Sequence, residues 1–570
     1  MLVAPHLKTE QTASAPSPAT QPSWRFGDLS AAELLPKLKR HLYGQNPNAN
    51  WQLVWLNNDG RPVIGLLPKM SWSVYYLSDS KLPNQQPNIY KVIKNCRDGS
   101  HSQAKTNQAI ISSYMSYSDW QEDLIAYSQA QSTDNTYDKD SLSIEDHDEQ
   151  PSYQHGLIGF IGYDIAAYEL SPAARIELAA QPCASLGHYD IYLTPNAEQA
   201  SWQLTIKDSV ADTDTDNEQK GVLVKALISY LDIMDKELSN QSLEKSVLEE
   251  SYKTTPLLLN AQWSKRDYQQ AFDKTQSYLQ QGDCYQINLT QQWQGAFNQN
   301  LTDNVTPMLI DYLPALHRNT HAPFAGYLAV NDFTSKMRVN TPDHQFELLS
   351  CSPELFFTFN KDDDTGKHHI RTKPIKGTMP RGLNTEQDNV YKQQLIDSEK
   401  DRAENVMIVD LLRNDLGKYA KIGSVKVPQL FAIESFSNVH HMVSTITAEL
   451  KTATHPLAVL FGSLPAGSIT GTPKKRAVEI ISELEGAARG AYCGTLGYMN
   501  FDGSGQWNVL IRTLQANTLS NHKLGKKERL VSLWAGGGIT VASDCDAEYQ
   551  ECLDKVGNLL GVLTQDNSDK

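Results

Sequence analysis

Cysteine is scarce and scattered: seven residues in 570, at 96, 183, 284, 351, 493, 545 and 552, with no C-x-x-C pair. That pattern argues against a disulfide scaffold and a structural zinc site, and fits reduced thiols in a cytoplasmic protein. No stretch approaches the roughly 20 apolar residues of a membrane helix. The opening residues, MLVAPHLKTEQTASAPSPATQPS, lack the apolar core of a signal peptide and read as a disordered leader over residues 1–23. Basic charge is also short. Against 66 acidic side chains there are 51 Lys and Arg, for a net charge of −15, so neither nucleic acid nor an anionic membrane is a default partner. A local basic site for a small anion stays open.

What is present is enough for a large core, with 40% hydrophobic residues in a chain longer than one usual domain. Residues 28–43 read as a helix, and WQLVWL and RPVIGLL within 51–80 read as strands. Residues 129–151 are polar and acidic and read as an exposed insertion. In 155–170, HGLIGFIGYDIAAYEL, glycines alternate with apolar residues, which predicts packed sheet with close backbones; the spacing is not that of a dinucleotide loop. Residues 209–255 supply a helix and a polar connection, taken as the boundary between an N-terminal region (24–255) and a second region (256–565). Beyond it, Ser264 caps a helix, CYQINLTQQWQGAF, FAGYLAV, FELLSCSPELFFTF and HHIRTKPI read as strands, and 387–417 and 546–563 as long helices. Strands and helices without βαβ alternation predict an α+β fold with a large antiparallel β-sandwich flanked by helices.

Four stretches carry chemistry. In RTKPIKGTMPRG (371–382) prolines fix φ and glycines admit close approach, so Lys376 sits in a rigid turn. Alone it is a solvated lysine or, if partly desolvated, a nucleophile. On the expected helix 393–420, Asp401 and Glu404 are three residues apart; on 547–563, Glu548, Glu551 and Lys555 share a face. Such acids suit a hard divalent cation such as Mg²⁺, and equally a solvated face or a pair with Lys555. LPAGSITGTPKKRAVEIISELEG (464–486) is a small-residue loop entering a helix, without the lysine of a Walker loop, and WAGGGITVASD (534–544) is a glycine loop able to present N–H groups to an anion. Arg512, in the expected strand WNVLIRTLQ, either pairs with a buried acid or clamps a carboxylate, with Tyr492 as a second donor.

The segments GDCYQINLTQ, CSPELFF, PIKGTMPRG, KDRAENVMIVDLLRNDLG, HHMVSTI, AGSITGTPKKRAVEII, AYCGTLGY, AGGGIT and AEYQECLDK occur in this order. Together they resemble the chorismate-utilising enzymes, well over about 260–563 and through GFIGYD and LGHYDIYL before that. The resemblance implies an α+β sandwich binding chorismate with Mg²⁺. It assigns Glu404 and Glu551 as metal ligands, supported by Asp401 and Glu548, and Gly536, Gly537 and Gly538 to the ring carboxylate. Arg512 and Tyr492 would hold the enolpyruvyl carboxylate, Glu354 would be the general acid, and His441 would lie near the reacting face, with His440 in the core. Ser468, Thr470, Lys555 and Gln286 complete the expected substrate contacts.

Two positions divide the family. Isochorismate and salicylate synthases carry a water-activating lysine where Gln286 stands, and anthranilate synthases an alanine where Lys376 stands. The resemblance therefore implies the branch that aminates chorismate at ring carbon 4 through a covalent Lys376 intermediate, giving 4-amino-4-deoxychorismate for 4-aminobenzoate and folate synthesis. An anthranilate-forming enzyme and a non-catalytic chorismate-binding protein are the alternatives. No segment has the cysteine elbow of a glutamine amidotransferase, so a separate glutaminase subunit is the expected source of ammonia. In this family the N-terminal region can hold tryptophan; residues 51–150 do not identify contacts, and retained, regulatory and absent binding all stay open.

Overall fold

The computed structural model of the chain describes residues 22–46, 51–77, 88–97, 109–132, 150–172, 174, 176, 178–179, 181–196, 200–207, 214–243, 255–297, 307–331, 344–436, 439–521 and 526–564. Most of the acidic stretch 129–151 and nearly all of the expected leader lie outside them; Ser23, at the leader's end, already pairs with Gln203 in a strand.

Helices start where side chains can bond the first free N–H groups. Ser30 and Glu33 form a capping box ahead of Ala31–Gln45, and Ser264 and Asp267 do the same ahead of Lys265–Gln280. Among the described residues the strands form two twelve-stranded sheets built from antiparallel pairs. A cluster containing Val54, Val63, Leu328, Phe346 and Leu348 of the first sheet and Ile158, Phe160, Leu496 and Tyr498 of the second fills the space between them. This is the expected antiparallel sandwich. The regions divided near residue 255 share both sheets: Val54–Leu56 pairs with Gly326–Asn331 in one, Gly156–Ile161 with Thr495–Asn500 in the other. Close approach along GLIGFIG is real, since a Cβ on Gly159 would lie 2.0 Å from the Ser185 carbonyl oxygen. The half of that stretch read as sheet after Gly162 is instead the helix Tyr163–Leu170.

The chain passes twice between the sheets at one place. Residues 351–354 lead from His344–Ser350 in the first sheet to Leu355–Lys361 in the second, and 509–512 lead back from Gly505–Asn508 to Thr513–Asn521. The two links run side by side, joined by Val509 N–H to the Glu354 carbonyl (3.1 Å) and Cys351 N–H to the Arg512 carbonyl (3.0 Å).

Four expectations are corrected here. The helix expected over 393–420 is two helices, Thr385–Asp397 and Glu399–Gly417, because Ser398 turns extended and caps the second through the Asp401 N–H. RTKPIKGTMPRG is no turn: His368–Thr372 and Ile375–Pro380 are strands on Val439–Glu449, with a bulge between Lys376 and Thr378 where Gly377 takes φ +76°. WAGGGIT is not a loop but the end of the strand Lys526–Ile539, with Gly536 opposite Thr290 and Gly538 opposite Asn288. Arg512 stands outside any strand, in the second link, at φ +51°.

Candidate active site

Where the links cross, they hold two ionisable groups in place. Glu354 is buried, its backbone N–H bonded to Ser352 Oγ, which itself donates to the Val509 carbonyl at 2.6 Å. Burial pushes its carboxyl up to about 7 despite the opposing charges of Lys376, Lys555 and Arg512. Arg512 is held in the left-handed region, which costs a non-glycine residue free energy and is tolerated mainly where function needs it. Its guanidinium has no protein hydrogen-bond partner among the described residues. Tyr492 is buried, and its ring stacks on Trp534 at 5.9 Å and 14°.

The strand Ile375–Pro380 brings in Lys376. A bulge re-aims a side chain, and here the Lys376 ammonium lies 3.7 Å from Glu404 on the helix Glu399–Gly417. Gly377 is needed both for its positive φ and because a Cβ would lie 2.9 Å from Asp401 Cγ. On the next strand His440 is fully buried between Asp388 (2.9 Å) and Ser435 (2.8 Å), the core role expected of it. His441 meets Thr378 Oγ1 at 2.8 Å, and burial, aided by Arg512 and His440, lowers its pKa to about 4, so the ring is neutral.

The helix Cys545–Thr564 contributes the other acids. Glu551 pairs with Lys555 at 2.7 Å, and Lys555 also donates to the Gly536 carbonyl at 2.8 Å. Glu548 is buried, accepts from Ser543 Oγ at 2.8 Å and pairs with Lys400 at 3.3 Å. Glu404 is raised by burial; Lys376 and Lys400 oppose the shift, and Glu548 and Asp401 add to it. Asp401, Glu404, Glu548 and Glu551 thus face one region from two helices. As they stand, no three such groups among the described residues converge closely enough to hold a metal ion. Their chemistry nevertheless fits Mg²⁺: all are oxygen donors, and a Cβ on Gly537 would fill a cradle 2.8 Å from Glu548 Oε2 and 4.0 Å from Glu551 Oε1.

The glycine strand has an open side. Its pairing with Thr513–Asn521 stops at Leu533, so Gly536–Gly538 have a strand neighbour on one edge only. Gln286 lies beside them, fully buried, with both amide atoms unpaired, and its Nε2 is 2.1 Å from where a Gly538 Cβ would be. Thr470 does not present its hydroxyl, which bonds the Ala466 carbonyl at 2.8 Å; Ser468 Oγ is free of protein partners among the described residues. Sequence reasoning missed Lys400 and Trp534. The signal for Lys400 was a cation in the first turn of a helix, against the dipole.

The chorismate binding enzyme family profile matches residues 95–561. The chain is 36% identical over 416 residues to aminodeoxychorismate synthase component 1 of Salmonella typhimurium, covering 72% of this chain and 77% of that one. It is 30% identical over 426 residues to anthranilate synthase component 1 of Aquifex aeolicus, covering 73% and 76%. The solved structure of anthranilate synthase component I from Streptococcus pneumoniae superposes with a TM-score of 0.57 at 21% identity, covering 87% of this chain and 91% of that one, and shares the fold.

Proposed function

The chain belongs to the chorismate-binding enzyme family, and on that premise we propose that it is the large component of an aminodeoxychorismate synthase, converting chorismate and ammonia to 4-amino-4-deoxychorismate. One observation carries the choice within the family: an amine, Lys376, on a bulged strand, whose charge reaches both Glu354 and Glu404. The higher identity to the aminodeoxychorismate synthase relative supports it.

The unpaired Arg512 guanidinium supplies donors that bind a carboxylate in bidentate fashion, with the Tyr492 hydroxyl as a second donor. Once its ammonium has given up a proton to solvent, the Lys376 amine attacks ring carbon 2, the ring electron pair shifts, and the hydroxyl leaves carbon 4 as water with the proton of Glu354. With its carboxyl near 7, about half of Glu354 still carries that proton at neutral pH, where an ordinary glutamic acid has lost it. Ammonia then adds at carbon 4 and returns a proton to Glu354, while the pair shifts back and expels the lysine amine. Glu404 and Glu551, with Glu548 and Asp401, would hold Mg²⁺, which when bound supplies positive charge to the ring carboxylate. Neutral His441 can hydrogen-bond the substrate but brings no charge. Gln286 stands where a water-activating base would be needed for a hydroxylated product, and an amide cannot supply one.

Ammonia comes, in this reading, from a separate glutaminase subunit, and the product feeds 4-aminobenzoate and folate synthesis. Incubating the purified chain with chorismate, MgCl₂ and ammonium, and identifying the product by mass and fluorescence, tests the proposal. The expected product is 4-amino-4-deoxychorismate, with no turnover of glutamine; anthranilate or isochorismate would contradict it.

A further inference from the structure

The acidic cluster contains a cation, Lys400, to which neither the resemblance nor the proposed chemistry gives a role. Lys400 is the second residue of the helix Glu399–Gly417, where the positive end of the dipole disfavours an ammonium. Its side chain is 51% exposed, yet it reaches Glu548, which is only 3% exposed, at 3.3 Å. Glu548 has no other ion-pair partner among the described residues; Ser543 Oγ gives it one neutral hydrogen bond. An unpaired carboxylate so buried would be costly, so Lys400 carries the compensation. The charges of Glu404 and Glu551 act on it as well. Two neighbouring acids have their own lysines, Lys376 for Glu404 and Lys555 for Glu551. Lys376, at 16% exposure, is held on a bulged strand and Lys555, at 37%, by the Gly536 carbonyl, whereas Lys400 has more solvent to move into.

We propose that Lys400 is the resident counter-charge of the carboxylate cluster and that a divalent cation binds by displacing it. The inference rests on the reading of Glu404, Glu548 and Glu551 as metal donors. Its charge balance is consistent: Asp401, Glu404, Glu548 and Glu551 face Lys376, Lys400 and Lys555 with one negative charge in excess, and exchanging Lys400 for a divalent cation removes that excess. Lys400 is thus a positioning residue. It keeps the acids apart and compensated in the metal-free enzyme, and it sets how tightly the metal is held.

Titration calorimetry of the full chain with MgCl₂, without chorismate, tests the exchange. Lys400→Met is expected to bind Mg²⁺ about tenfold more tightly than wild type, because a competing charge at contact distance is gone. Lys400→Arg is expected to bind it several-fold more weakly, because a guanidinium grips Glu548 through two hydrogen bonds. The two variants predict opposite shifts, so poor folding of one leaves the other decisive. In EDTA, Lys400→Met should also melt below wild type, with Mg²⁺ closing the gap. If Mg²⁺ binds wild type and both variants alike, or Lys400→Met more weakly, displacement is wrong and the metal reading survives. If wild type and variants all fail to bind, or Glu404→Gln and Glu551→Gln bind as wild type does, the metal reading itself falls and takes the inference with it.

Discussion

Two clusters of lysine, glutamate and arginine among the described residues are built differently. In the first, Lys39 donates to Tyr327 at 2.6 Å, Tyr327 donates to Glu347, and Glu347 pairs with Arg529 and accepts from the Leu309 N–H. Lys39 and Glu347 are almost wholly sealed from solvent, and their charges face one another. In the second, around Lys376, the ion pairs are partly exposed, the buried Gln286 amide is unpaired, and the Arg512 guanidinium has no protein hydrogen-bond partner among the described residues. The same residue types therefore do two jobs. In the first, the charged groups bind one another and fix the packing of helix Ala31–Gln45 on the first sheet; in the second, the unpaired groups are open to a ligand.

Removing the proton donor of the open cluster should have the largest effect. Glu354→Gln is expected to lower ammonia-dependent kcat by about 10²–10⁴. Because Glu354 titrates near 7 and works in its acid form, wild-type activity should fall as pH rises through 7, and that limb should vanish in the variant. A wild-type profile flat to pH 9 would remove Glu354 as the acid. The sealed cluster should respond in stability instead. Glu347→Ala leaves Lys39 and Arg529 without their shared carboxylate and should cost about 3–5 kcal/mol in urea denaturation, with kcat of the folded fraction unchanged; a large loss of kcat at full stability would merge the two clusters into one functional unit. The smallest of these effects belongs to Arg512→Lys, which keeps the charge but loses the planar fork. It should raise the KM for chorismate about tenfold, with little change in Tm.

The difference between the clusters explains what could be read from the chain. The acids, Lys376 and Arg512 stood out in the sequence because their types are restricted by chemistry, and the sandwich was legible from its strand runs. The local geometry was not. Three glycines hide the alternation that marks a strand, so 534–539 read as a loop. Ser398 breaks a helix without proline or glycine, through a side-chain bond that composition does not announce. Arg512 follows WNVLI, a strand-like run, and only the passage between sheets shows why it is set at φ +51°. Lys400 and Trp534 act through partners 148 and 42 residues away in sequence, which no local pattern reveals.

The account stands on Lys376 as nucleophile. Quenching the enzyme during turnover with chorismate, Mg²⁺ and limiting ammonia, then measuring intact mass and mapping the peptide, tests it directly. A chorismate-derived adduct, less one water, on Lys376 in wild type and absent from Lys376→Ala is the predicted result. Full turnover by Lys376→Ala without added nucleophile, or an adduct on another residue, would contradict it.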